Sequence, residues 1–317
     1  MDIWILGRIG YDLYAVEQNR PLGQVEHFSR HLGGSSANMA VGLARLGIQV
    51  GIISAVGDDL LADYLLGLLG SEGVDTRFVA RVGGFNTSLC LTEVWPPSRF
   101  RQVFYRAKPA DSQIVLNEEA AQSVRQAKML ITNGTNLASP PSRDAARKAL
   151  AAAHKAGVRT ALDIDYRDSS WSSSAEAGKE ARSVLPWVEV VLANEEELAL
   201  LAGSDDPEKQ IESVLAAGPK ILVRKLGARG VTAHTSTSKH FAPSQSEEIV
   251  CAVGGGDGFA AGFLYAVYRG YDLPRALAYG DAAAAVVVSR VSCADAMPRL
   301  QEIEARLREG SAVSSQR

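Results

Sequence analysis

Three glycines and a carboxylate, Gly254-Gly255-Gly256-Asp257, stand between an apolar lead and a run of small and aromatic residues with the composition of a helix. Without Cβ atoms the backbone can approach a ligand closely, and the unpaired N–H groups of the following helix favour negative charge there. Phosphate is the matching guest. An aspartate among those N–H groups stays ionised and stands where a phosphoryl group and an acceptor hydroxyl would meet, so it suits a general base. The same residues also read as a tight loop whose aspartate caps the helix, because Asp is a favoured N-cap.

Other polar residues fall where strands end. Asp12 lies in a segment, 11–16, that alternates well enough to be a strand with Asp12 and Tyr14 on one face; it either holds sugar hydroxyls or is a solvated strand charge. Gly33-Gly34 precede a serine-capped, small-residue helix, and Asn38 in its first turn can reach a ligand over the glycine pair or serve as an ordinary first-turn amide. Arg106 ends a returning strand, a candidate clamp for an anionic substrate or a solvated cation. Asp163, Asp165 and Arg167 project where another strand leaves the sheet. Arg167 either grips a carboxylate or phosphoryl group or pairs internally with an aspartate. Asn194 and Glu197 have the spacing of a capping box, and an amide and a carboxylate at a strand end could also hold a hydrated magnesium ion. In 225–230, Lys225, Gly227 and Gly230 form a glycine-spaced turn, either a place for a nucleotide to lie against backbone or a plain hairpin.

The elements that must position these groups follow a βα rhythm. Short apolar runs at 3–7, 49–56, 129–132, 158–164, 188–192 and 220–225 read as buried strands. Helices are expected over 60–69, apolar nearly all round and therefore buried, and over 139–156, 273–290 and 299–308, followed by a loose tail from 310. Between 82 and 108 the rhythm breaks into a β-hairpin, which with 11–29 forms a small sheet projecting from the main body as a lid.

Composition sets outer bounds. At 46% hydrophobic and 22% charged residues over 317 positions the chain can bury a substantial core, and a net charge of −3 supplies no basic footprint for nucleic acid. The short apolar run after Met1-Asp2 is too brief to span a bilayer, so no membrane association and a cytoplasmic location are expected. Cys90, Cys251 and Cys293 have no metal or redox spacing and read as structural thiols.

With these pieces in order the chain resembles the ribokinase-like, or PfkB, family of carbohydrate kinases over nearly its whole length. Gly33-Gly34 with Asn38 and Ala44-Arg45-Leu46-Gly47 resembles its first signature, and Val253 through Gly262 its second. The resemblance implies one α/β domain spanning 1–317, with a mostly parallel central sheet, helices on both faces, and a small β-sheet lid from about 11–30 and 82–108. It implies ATP and Mg2+, with Asp257 as base and Gly254, Gly255 and Gly256 as an anion hole for the transferring phosphoryl group. Asp12, Gly33, Gly34 and Asn38 match sugar-contacting positions, Lys225, Gly227 and Gly230 the nucleotide-binding turn, and Asn194 with Glu197 the element that places magnesium through water. Tyr105-Arg106 and Asp163-x-x-x-Arg167 are similar to sugar-acid kinases in the family, so Arg106 and Arg167 are expected to meet the acid end of a sugar acid. A homodimer through the lid is expected as well.

Three departures from the family pattern stand out. Gly255 replaces the usual alanine, and Cys251-Ala252 replaces an Asp-Thr pair that helps bind a monovalent cation, which argues against a potassium requirement. Asp281 replaces an asparagine of the adenine-side helix and leaves nucleotide choice open. The alternatives are a kinase of neutral sugars or nucleosides and, in a different class, a non-catalytic sugar-acid sensor on the same fold, against which the intact Asp257 argues.

Overall fold

The computed structural model describes residues 1–246 and 248–314. In chain order its strands are β1 (Ile3–Leu6), β2 (Gly10–Ala15), β3 (Phe28–Gly33), β4 (Val50–Gly57), β5 (Asp75–Val82), β6 (Ser88–Thr92), β7 (Gln102–Tyr105), β8 (Met129–Asn133), β9 (Arg159–Asp163), β10 (Val190–Asn194), β11 (Ile221–Lys225), β12 (Val231–His234) and β13 (Lys239–Ala242). The helices are α1 (Ser35–Arg45), α2 (Leu60–Ser71), α3 (Glu118–Arg125), α4 (Ser142–Lys155), α5 (Ser174–Val184), α6 (Glu195–Ala202), α7 (Pro207–Ala216), α8 (Gly255–Tyr268), α9 (Leu273–Val288) and α10 (Leu300–Ser314).

Nine strands form the main sheet in the order β13-β12-β11-β10-β9-β8-β1-β4-β5, parallel from β11 to β5, with β12 and β13 antiparallel at one edge. Its interior strands read as unbroken apolar runs because both faces are covered. In β1, Ile3 and Ile5 enter a core shared with α1, α8 and α9, whereas Trp4 and Leu6 enter the opposite core against α4 and α6. Helices therefore lie on both faces, as the sequence implies.

Small residues set how closely the helices approach. A Cβ on Gly262 of α8 would lie 2.5 Å from the carbonyl oxygen of Tyr279 in α9, and one on Gly42 of α1 would lie 2.8 Å from Ala261 of α8. Replacing Gly42 would push apart the helices that carry Asn38 and Asp257, and replacing Gly262 would push α8 off α9.

A second, four-stranded sheet has the order β3-β2-β6-β7 and is built from the segments expected to form it. Its register puts Asp12 opposite His31 and Cys90, and Cys90 opposite Phe104. One face therefore presents Asp12, Tyr14, Cys90, Thr92, Gln102 and Phe104, by the period of two of a strand.

Some expectations need correction. Only Ala62, Leu65 and Leu69 of α2 are buried, and Leu60 is 85% exposed, because the helix meets the sheet along a single stripe beside the edge strand β5. Helix α4 begins at Ser142 rather than 139, since Pro140 and Pro141 supply no N–H to a helix interior. The chain expected to loosen from 310 continues α10 through Ser314, and 315–317 lie outside the described residues.

Candidate active site

A cleft of about 520 Å³ opens at the C-terminal ends of β9, β10 and β11, the side of a parallel sheet where ligands usually bind, with the small sheet forming its other wall. Five carboxylates (Asp12, Asp163, Asp165, Glu197, Asp257) and three cations (Arg8, Arg167, Lys225) line it.

The glycine run enters α8 as a strained turn. Gly254 has φ 90°, and a Cβ there would lie 2.6 Å from Cys293 Sγ and 3.0 Å from its Cα, so only glycine fits without displacement. Gly255 donates its N–H to the Ala252 carbonyl at 3.3 Å, whereas no acceptor meets the N–H groups of Gly256 and Asp257 among the described residues. These are free helix-start donors of the kind that hold anions. Gly254 and Gly256 face the cleft; Gly255 instead faces a neighbouring cavity.

Asp257 does not cap α8, whose N-cap is Gly254. Its Oδ2 accepts the Asn38 amide N–H at 2.7 Å, and no protein donor reaches Oδ1 among the described residues. Burial, reinforced by the charge of Asp165, pushes the Asp257 pKa up, with Asn38, Arg8 and Arg167 opposing. A carboxylate shifted this way is a stronger base than an exposed one.

Asp12 is buried on the inner face of the small sheet with its carboxyl group packed on Gly33, where a Cβ would approach Cγ to 2.1 Å. Burial raises it to about 7, the neighbouring Asp257 adds to the rise, and Arg8 counteracts it. Gly34, at φ 89°, passes so close to the Arg8 carbonyl that a Cβ would lie 2.7 Å away.

Asp165 is the anchor of the cleft floor. Its Oδ2 accepts from Arg8 Nη2 at 2.8 Å, Ser35 Oγ at 2.7 Å and Thr135 Oγ1 at 3.0 Å, while Arg167 Nη2 lies 3.1 Å from Oδ1. Burial alone would raise its pKa, but Arg8 and Arg167 with these hydroxyls hold it at about 2. The residue has φ 38°, a strained value for a side chain larger than glycine. Arg167 both pairs with Asp165 and lines the cleft, so the two readings of it coexist. Arg8 Nε, Arg167 Nε and Asn38 Oδ1 are buried with no partner among the described residues, and buried polar atoms of this kind are ones a polar ligand could satisfy.

Arg106 is the exception among the expected site residues. Asp111 takes it in a bidentate pair, with Nη2 to Oδ1 at 2.6 Å and Nη1 to Oδ2 at 2.9 Å, and Nη1 also donates to Ser88 Oγ at 2.8 Å. It lines a separate pocket of about 200 Å³ rather than the cleft, because the buried carboxylate five residues on captures the guanidinium.

Asn194 and Glu197 form the expected capping box, with Glu197 N–H to Asn194 Oδ1 at 2.9 Å and Asn194 N–H to Glu197 Oε2 at 2.7 Å; Glu197 Oε1 also accepts from Tyr166 N–H at 3.0 Å. Both residues line the cleft beside Asp163, whose Oδ1 takes Lys225 Nζ at 2.8 Å. Burial works against the Lys225 ammonium, but Asp163, Glu197 and Asp257 outweigh it and hold its pKa above the usual lysine range. Among the described residues no three ligating side chains cluster tightly enough for a dehydrated metal. One or two carboxylates offering spare lone pairs fit a magnesium ion that keeps most of its waters.

Lys225 and Gly227 also line the second cavity, of about 260 Å³, together with Gly230, Gly255, Phe259 and Val288. The turn is a hairpin start between β11 and β12 as well as a cavity wall, and a Cβ on Gly230 would lie 2.2 Å from the Ala242 carbonyl oxygen.

Sequence reasoning gave no role to Arg8, Gln102 or Phe104; it read a serine as the cap of α1, whereas the N-cap is Gly34 and Ser35 donates to Asp165; and it gave Asp163 and Asp165 no role beyond strand-end charges and the spacing to Arg167. Arg8 directly follows a strand that ends on Gly7, the one local signal that could have found it.

Comparison with known proteins agrees with this geometry. The model of the pfkB family carbohydrate kinases matches residues 2–300. The chain is 36% identical over 312 residues to a 5-dehydro-2-deoxygluconokinase of Shouchella clausii, covering 97% of this chain and 96% of that protein. It is 35% identical over 317 residues to one of Clostridium tetani, covering 98% and 93%. Among solved structures, a PfkB protein of Polaromonas sp. JS666 superposes with a TM-score of 0.84 at 26% identity, covering 96% of this chain and 99% of that one. A candidate ribokinase II of E. coli, in complex with ATP and Mg2+, superposes with a TM-score of 0.87 at 24% identity, covering 97% and 99%.

Proposed function

The chain belongs to the pfkB family of carbohydrate kinases, and on that premise we propose that it transfers the γ-phosphoryl group of ATP to the primary hydroxyl of a sugar acid, 5-dehydro-2-deoxygluconate. The observation that carries this reading is the position of Asp257. Its carboxylate is buried, oriented by Asn38, left with an unpaired oxygen, and set beside the free N–H groups that begin α8.

In this reading Asp257 removes the hydroxyl proton while the Gly256 and Asp257 N–H groups, next to Gly254 and Gly255, stabilise charge on the phosphoryl group in flight. Asp12, Gly33, Gly34 and Asn38 hold the sugar. Arg167, already charged and facing the cleft, receives its acid end, with Arg106 supporting that wall through Asp111 rather than touching the sugar. Lys225 faces the phosphates, and Gly227 and Gly230 form the wall against which the nucleotide lies. Bound magnesium, reached by Asn194 and Glu197 through water, would neutralise phosphate charge in a cleft that already carries more carboxylates than cations. We further infer one domain, 1–317, whose four-stranded sheet acts as a lid over the sugar, a homodimer through that sheet and a cytoplasmic location. No helix among the described residues is long and apolar enough to cross a membrane.

The test is a coupled ADP-release assay with ATP and Mg2+ on 5-dehydro-2-deoxygluconate, 2-keto-3-deoxygluconate, ribose and fructose. The first acid should give the highest kcat/KM. Turnover confined to neutral sugars would refute the acid assignment, and no turnover alongside tight binding of an acid would favour a sensor.

A further inference from the structure

The cavity beside the cleft is walled mainly by apolar groups, Ile249, Phe259, Ala284 and Val288 among them, and it shares Lys225, Gly227, Ala252 and Gly256 with the cleft. Resting on the proposed placement of the phosphates at Gly254–Gly256, a nucleotide there would seat its base in this cavity. Among the described residues one acidic side chain lines it: Asp281 of α9, 5% exposed. Its Oδ2 accepts the Gln245 N–H at 2.9 Å, and no donor is paired with Oδ1 among the described residues.

We propose that Asp281 reads the nucleobase by accepting N–H groups from its edge, so that guanine nucleotides bind this protein at least as tightly as adenine nucleotides. A carboxylate offers only acceptors. Guanine presents two adjacent donors, the ring N1–H and the 2-amino group, which suit the two oxygens of one carboxylate. Adenine presents one amino group flanked by ring nitrogens whose lone pairs oppose the carboxylate. Burial raises the Asp281 carboxyl to about 6, with the Gln245 N–H and the Arg306 guanidinium opposing, so the acceptor form prevails at pH 8. Of the other polar side chains at this wall among the described residues, Lys225 is held by Asp163 at the edge shared with the cleft, and Ser244 and Ser246 are hydroxyls that suit either base.

The experiment is calorimetric titration of the full chain, with Mg2+ present, using the non-hydrolysable analogues GMP-PNP and AMP-PNP and, in a third arm, purine riboside triphosphate, which lacks exocyclic donors. The expected results are a GMP-PNP affinity equal to or above that of AMP-PNP and a purine analogue weaker by about 10-fold. Asp281→Asn, which keeps an oxygen for the Gln245 N–H and adds a donor, should shift the guanine-to-adenine ratio toward adenine by about 10-fold. The wild-type arms stand alone if the variant does not fold. A wild-type preference for AMP-PNP over GMP-PNP, or a ratio that Asp281→Asn leaves unmoved, would overturn the proposal while sugar-acid phosphorylation by ATP left the kinase reading intact. Absence of binding by every nucleotide would overturn both.

Discussion

Asn38 and Asp257, 219 positions apart in sequence, meet through a 2.7 Å hydrogen bond that ties the first turn of α1 to the first turn of α8. The bond orients the carboxylate and leaves its other oxygen without a protein donor among the described residues, where the proposed reading puts the substrate hydroxyl. Asp257→Asn should lower kcat by about 10²- to 10⁴-fold. Steady-state kinetics beside calorimetric binding of the sugar acid would check this, since affinity should change far less than rate.

The turn at Gly254 cannot take a side chain without moving Cys293. Gly254→Ala should destabilise the protein by about 1–3 kcal/mol, combining strain at φ 90° with the contact on Cys293. Denaturant melts would measure the loss, and kcat should fall with it because the same turn aims the α8 donors.

Two aspartates give the apo-protein opposite responses to pH. Asp165, at about 2 in the fold against 3.8 when unperturbed, stabilises the folded state above pH 3.8, and that contribution is lost as pH falls toward 2. Asp12, raised to about 7, binds a proton more tightly when folded, so its effect on stability worsens as pH rises from 3.8 through 7. Thermal melts should therefore decline between pH 5 and pH 8 in the wild type. Asp12→Asn should lessen that decline, the remainder coming from Asp163 and Asp257, which burial also raises, and from Asp281, raised to about 6; a slope that persists unchanged would assign the decline to those groups alone.

The two arginines expected at the acid end should separate. Arg167→Ala is expected to raise KM for the sugar acid by about 10-fold or more, with little change for a neutral sugar. Arg106→Ala leaves the Asp111 charge buried without its cation, with only the Ser88 hydroxyl still donating to it among the described residues, and should cost about 3 kcal/mol of stability. Substrate kinetics and melts on both variants would show whether the roles divide this way.

The proposed dimer has its own test. Val103 and Tyr105 stand exposed on the outer face of the edge strand β7. Tyr105→Glu should shift sedimentation from dimer to monomer, and a wild-type monomer at micromolar concentration would end the proposal.

Much of the architecture was legible because its signals are local. An apolar run ending on glycine marked β1, and the spacing of Asn194 and Glu197 announced α6. The fate of Arg106 was not legible, because whether a guanidinium faces a ligand or a neighbouring carboxylate depends on how the short turn Ala110–Gln113 folds back. The fourfold grip on Asp165 was equally hidden, since Arg8, Ser35, Thr135 and Arg167 come from four separate segments. The exposed side of α2 misled for the opposite reason: a leucine-rich helix at a sheet edge is covered along one side only.

The wall formed by Gln102 and Phe104 belongs to β7, bonded to a partner strand along one side only, whereas Asp257 and Asp165 sit on elements packed from several directions. On the proposed reading, amino-acid changes in that marginal strand would alter which sugar is admitted while the residues proposed for phosphoryl transfer stay put. Divergence toward new acceptors has an inexpensive route here, one that leaves the scaffold's deepest commitments untouched.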